Sequence, residues 1–206
     1  MQLTSLRSNT TTINQQMQSC TDCPLHENTT QAVPGILVGD RADIMLIGEG
    51  PGADEDRLGK PFVGRAGQLL QTTLQELNIT NNIYVTNIVK HRPPKNRKPL
   101  PSEMDTCGEK FLLREIFIRE PKAIVCLGRT AAEYFFLQKK ILVRHNYLAN
   151  YHIGRIRGQT FEIESGVRRI PVFCTWHPAY ILRNLALLDE LKEDLRKACE
   201  ISHYKQ

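Results

Sequence analysis

The chain contains no run of roughly 18 or more apolar residues, the length a helix needs to cross a bilayer, so no membrane-spanning helix is expected. Its first residues, MQLTSLRSNTTTINQQMQSC, lack the apolar segment of a signal peptide or anchor. These absences lead to the expectation of a cytoplasmic protein, where cysteines stay reduced. The six cysteines then call for an explanation other than disulfides. Internal repeats are absent. So is a charge excess strong enough to name a partner. The net charge of +5 permits nucleic-acid binding without requiring it. Nucleotide-binding signatures are missing as well. GEGPG (48–52) is not followed by GK[ST], Pro51 removes an N–H, and the third glycine of GxGxxG is lacking.

What is present fits one folded unit. A chain of 206 residues with 41% hydrophobic and 24% charged residues can bury a sizeable core. Residues 1–17 read as a polar N-terminal segment, frayed or weakly helical over 1–15, and 18–206 as a single domain. Four short apolar runs stand out: DIMLIG (43–48), IYVTNI (83–88), AIVCLG (123–128) and PVFCTW (171–176). Continuous apolar runs of this length suit strands buried on both faces of a parallel sheet. Helical patterns lie between and after them, at 66–78, 101–120, 130–138 and 185–202. The second of these opens on Pro101, with Ser102 as the expected N-cap. Strands alternating with helices give an α/β layer fold with a mostly parallel sheet.

In such folds, sites form beyond the carboxyl ends of the strands. The first strand leads into GEGPGADED, with Glu49 as the nearest carboxylate. Gly50 and its neighbours let a flat ligand approach the backbone. Downstream, Phe62 stands on a loop where a planar base can stack. The second strand ends at Asn87, whose amide offers one acceptor and two donors to a base edge. The third ends in a GRT turn. The fourth delivers HPAYILR (177–183), in which His177 can donate to a developing anion. Leu182 can wedge into a duplex and Arg183 can hold a phosphate. Between the second strand and the next helix runs HRPPKNRKP (91–99), with five basic residues among nine and no acid. Its prolines forbid a regular helix or a central strand.

The cysteines divide. Cys126, Cys174 and Cys199 sit in apolar strands or a helix and read as small buried hydrophobes. Cys20 and Cys23 form CTDCPLH, a CxxC with no preceding strand, which argues against a thioredoxin-like redox pair. With Cys107 and His91 they make three thiols and an imidazole. That set suits zinc, and it equally suits an iron–sulfur cluster with one histidine ligand.

CTDCPLH, GEGPGADED, GKPFVGRAGQLL, YVTNIVK with RPP, the later cysteine, LGRTAA and HPAYILR occur in this order over residues 18 to 200. On these motifs the chain resembles the uracil-DNA glycosylase superfamily, specifically its iron–sulfur family 4 of bacteria and archaea. The resemblance implies a three-layer α/β/α sandwich around a four-stranded parallel sheet. It implies a monofunctional repair enzyme that flips uracil out of double- or single-stranded DNA and hydrolyses its N-glycosidic bond. It also implies roles: Phe62 stacks on uracil, Asn87 bonds its edge, and His177 donates toward O2. Glu49, with the Gly50 backbone, positions the water. Arg92, Lys95, Arg97, Tyr180, Leu182 and Arg183 contact DNA. A 4Fe–4S cluster, or zinc in its place, is held by Cys20, Cys23, His91 and Cys107. The enzyme is expected to act as a monomer, without a membrane. The sequence departs from the family twice. His91 stands where the family has cysteine, and residues 138–153 are longer and more basic than expected, read as a variable surface loop.

Overall fold

The computed structural model describes residues 11–137 and 152–202; most of the variable segment, 138–151, lies outside the described residues. At its centre is a six-stranded sheet: β1 (Ile36–Val38), β2 (Ile44–Gly48), β3 (Ile83–Asn87), β4 (Ala123–Leu127), β5 (Thr160–Ser165) and β6 (Arg168–Thr175), in spatial order β1-β3-β2-β4-β6-β5. The four apolar runs form its parallel centre: β2 pairs with β3 and β4, and β4 with β6. The expected four-stranded sheet is therefore extended by two antiparallel edges, β1 on β3 and β5 on β6. Neither edge is a continuous apolar run. β1 spans three residues and is partly exposed. β5, TFEIES, turns only Ile163 fully inward.

Side-chain alternation along a strand explains the layers. In β2, Met45 and Ile47 point to one core and Ile44 and Leu46 to the other. The first core is closed by α1 (residues 11–18), α4 (Pro101–Cys107), α5 (Leu113–Arg119) and α6 (Arg129–Leu137). The second is closed by α3 (Arg65–Glu76), α8 (Pro178–Ile181) and α9 (Leu188–Ile201). Two short helices, α2 (Ala53–Leu58) and α7 (Ile153–Ile156), complete the described set. The segment read as a polar lead-in has a structural part: Ile13 and Met17 are buried in the first core. Cys126 and Cys174 are buried in paired strands, as expected.

α4 and α5 form one run, joined by a π-helical turn at Gly108–Leu112 that begins directly after Cys107. Such bulges often mark functional positions. Ser102 is not the cap of α4. The N-cap is Leu100, Pro101 opens the helix, and Glu103 accepts the Leu100 N–H at 2.7 Å. A carboxylate at the third helical position does what a serine two residues past the cap cannot.

From β2 the chain moves outward to β3, then returns to the opposite side of β2 for β4. This reversal makes a switch point, where open α/β sheets leave a crevice at their carboxyl ends.

Candidate active site

A cavity of about 220 Å³ opens at those ends, lined by Glu49, Gly50, Phe62, Asn87 and His177. It is smaller than the ~300–1,000 Å³ typical of drug-sized ligand sites, which suits one small ring. Each wall has a local cause. Gly48 and Asn87 are register partners at the ends of β2 and β3. A Cβ on Gly48 would lie 2.4 Å from Asn87 Oδ1 and 2.6 Å from Phe62 Cζ, so only glycine lets the amide and the ring meet there. Asn87 is 3% exposed. Phe62 has φ +55°, an unfavourable backbone state for a bulky residue, and must be held by its surroundings. Glu55 is the clamp. Its carboxylate accepts N–H bonds from Gly52 (3.1 Å), Val63 (2.9 Å) and Gly64 (2.8 Å), tying the loop after β2 to the loop carrying Phe62.

His177 caps α8. Its Nδ1 accepts the Ala179 N–H at 3.1 Å, which leaves the proton of a neutral ring on Nε2. Burial pushes its pKa down to about 4, and the nearby positive charge of Arg183 adds to the shift. At neutral pH the ring is therefore an uncharged N–H donor. Its centroid lies 6.2 Å from that of Phe62. Gly128, at φ +90°, makes room for it: a Cβ there would lie 2.6 Å from His177 Cβ.

A larger cavity, about 540 Å³, shares Glu49 and His177 and continues past Arg129, Trp176 and Tyr180. Tyr180 stacks on Trp176 with centroids 5.3 Å apart. Trp176 is anchored by a 2.8 Å bond to Glu190, and Arg183 lies over the Tyr180 ring. Leu182 is half-buried, whereas Leu185, three residues on, is 65% exposed.

The basic loop is only partly free. Lys95 is exposed at its tip with φ +55°. Arg92 Nε bonds Asn96 at 2.7 Å. Arg97, expected on DNA, instead grips buried Glu103 with two bonds of 2.6 and 2.8 Å. A forked guanidinium matches a carboxylate so well that this residue braces the loop against α4. Lys98 pairs with Glu133.

Cys20 and Cys23 pack against the core that contains Cys107. The Cys107 thiol is pushed up to about 12 by burial, opposed by the Lys90 charge. Two donors face sulfur here: the Lys90 N–H lies 3.3 Å from Cys107 Sγ, and Lys110 Nζ lies 3.7 Å from Cys20 Sγ. Such donors stabilise thiolates, so the set fits a thiolate-bound group. His91 is buried, and burial followed by the proximity of His26 holds its pKa down, which favours the neutral imidazole. Among the described residues no group of three or more His, Cys, Asp or Glu is arranged around a single metal ion.

With this geometry in place, relatives can be compared. The family model described as Uracil DNA glycosylase superfamily matches residues 36–199. The chain belongs to this superfamily. It is 37% identical to the Type-4 uracil-DNA glycosylase of Archaeoglobus fulgidus, with 94% of each chain covered. It is 42% identical to that of Thermotoga maritima, over 90% of this chain and 91% of the relative. A Type-5 uracil-DNA glycosylase of Pyrobaculum aerophilum is 30% identical over 76% of this chain and 71% of its own.

Reading the sequence missed Glu55, Glu103, Trp176, Leu185, Lys90 and Glu115. GADED does place Glu55 three residues after Gly52. Nothing local to the other five signals what they touch.

Proposed function

We propose that this protein is a uracil-DNA glycosylase of base excision repair, and that the 220 Å³ cavity receives a uracil flipped from DNA. The observation that carries this reading is the convergence of an aromatic ring, an amide and a neutral imidazole donor on a cavity the size of one small ring, with a carboxylate at its edge. Phe62 offers its ring for stacking. The Asn87 amide meets both donors and acceptors on the uracil edge. His177 Nε2–H points its donor at a carbonyl oxygen of the base.

As the C1′–N1 bond breaks, its electron pair leaves with uracil, and the sugar becomes oxocarbenium-like. Fixed donors on the departing base stabilise the anion without reorganising. Neutral His177 suits this better than a charged ring that would have to be desolvated. Glu49, shared by both cavities, lies where the sugar must pass. It offsets the positive charge and accepts a proton from the attacking water, whose oxygen bonds C1′. Uracil and an abasic site result. Arg92, Lys95, Tyr180, Leu182 and Arg183 form the DNA-facing surface, with Arg97 bracing it.

Cys20, Cys23, His91 and Cys107 would hold a 4Fe–4S cluster, whose contribution is to cross-link the segment before α2 to the β3–α4 connection. Three thiols and an imidazole would suit an iron–sulfur cluster, or zinc in its place. The enzyme acts as a monomer in the cytoplasm. No described helix is long and apolar enough to cross a membrane.

The test is a labelled uracil oligonucleotide incubated with the protein, then treated with alkali. Strand breaks are expected for uracil opposite guanine, uracil opposite adenine and single strands. Glu49→Ala and His177→Ala should each lower the rate by about 10²-fold or more while leaving the thermal midpoint close to wild type. An intact strand in every context would overturn the reading.

A further inference from the structure

Behind the uracil-facing side of β3 lies an ion pair that the chemistry above does not use. Lys90 is completely buried. Its Nζ donates to Glu115 Oε2 (2.7 Å), Thr86 Oγ1 (2.8 Å) and the main-chain carbonyl of Asn87 (2.7 Å). Glu115, 2% exposed, also accepts from Tyr84 Oη (2.9 Å) and Thr86 Oγ1 (3.0 Å). Every ammonium proton is used, and so are both carboxylate oxygens.

Such a pair is a poor way to gain stability, because removing two charges from water offsets most of their attraction; apolar residues of equal volume often do as well. Its geometric result is more specific. Asn87 is the last residue of β3, where the ladder ends. Its carbonyl is seized by Lys90 from three residues on. The N–H of the same peptide, on Ile88, is bonded to Gly48 O at 3.0 Å, so the Lys90 bond secures its other end and with it the backbone from which the Asn87 side chain departs. The grip has a second anchor: the N–H of Lys90 itself bonds Cys107 Sγ at 3.3 Å.

We infer that Lys90 is a positioning residue for uracil recognition, aiming the Asn87 amide through the Asn87 carbonyl. The inference rests on the uracil reading of the cavity, and the test separates the two. Free uracil is the probe, used as a product inhibitor of wild-type and variant enzymes. Affinity for an abasic-site duplex is measured beside it.

Lys90→Met combined with Glu115→Gln removes the donor to the carbonyl while filling the volume and keeping an acceptor for Tyr84 and Thr86. Free uracil should inhibit this variant about tenfold less well, the equivalent of one misaligned hydrogen bond. The abasic duplex should bind within about twofold of wild type, a small fraction of the tenfold that one hydrogen bond represents. Glu115→Gln alone keeps the Lys90–carbonyl bond and should retain uracil inhibition. Thr86→Val likewise keeps the Lys90–carbonyl bond and should also retain uracil inhibition. This holds the inference to account even if the double variant fails to fold. Unchanged uracil inhibition in the double variant, equal loss of both constants, or an about tenfold loss in Glu115→Gln or Thr86→Val would each overturn it. A wild-type enzyme that neither excises uracil nor is inhibited by it would instead sink the reading of the cavity.

Discussion

His177 shows how much chemistry hangs on one N–H. The sequence identifies it as a donor beyond a strand end, because a histidine opening HPAYILR has few other uses there. Its charge state was not legible. That depends on the Ala179 N–H, which claims Nδ1, and on the burial that pushes the ring's pKa down to about 4 from 6.5. The sign follows directly. A depressed histidine pKa means that the folded enzyme prefers the neutral ring, so protonation removes the working form only as pH falls toward 4. Uracil excision under single-turnover conditions should therefore show no inflection near 6.5 and lose rate only on an acid limb well below it. Stability follows the same group. Between 6.5 and 4 the unfolded chain binds a proton that the folded chain refuses, so the thermal midpoint should drop as pH falls through that window. A rate that halves near 6.5 would mean that the ring works as a cation or titrates freely.

Elements tell a different story about legibility. The four parallel strands could be read because burial on both faces demands unbroken apolar runs, and 43–48, 83–88, 123–128 and 171–176 supply them. The edge strands escaped because each keeps an exposed face. β5 carries the alternation of FEIE, a weaker signal than a run. The basic loop misled in part for a related reason. Five basic residues in nine read as one DNA-facing surface, but composition does not reveal partners far along the chain. Arg97 and Lys98 are matched by Glu103 and Glu133 on following helices. Lys95 and Arg97 should therefore respond differently to substitution. Lys95→Ala should weaken DNA binding across sequences and reduce the slope of log affinity against log salt by about 1, leaving stability unchanged. Arg97→Ala leaves buried Glu103 without its fork and should lower the thermal midpoint. Duplex titrations at several salt concentrations, paired with thermal unfolding, separate a phosphate contact from a brace.

Across the whole molecule, the cavity proposed to take uracil and the cysteine set are neighbours through sequence rather than through a shared space. β3 ends at Asn87, which lines the cavity; three residues later Lys90 meets Cys107, and His91 is buried beside it in sequence. None of Cys20, Cys23, His91 or Cys107 lines either cavity described above. A group bound there would hold the segment before α2 against the start of the basic loop and the π-turn of α4–α5. Its removal should act first on stability, because a group bound only by the folded chain adds its binding energy to folding. Position 91 gives this a clean readout. His91→Cys supplies another soft donor and should retain iron and sulfide after anaerobic purification. His91→Ala leaves three donors and should lose both, along with the visible absorption of the cluster and several degrees of thermal midpoint. The acid limb set by His177 should stay in place wherever protein remains folded, since His177 belongs to the cavity and not to the cysteine set. Zinc in place of iron and sulfide, or full iron in His91→Ala, would remove His91 from the ligand set or the cluster from the protein.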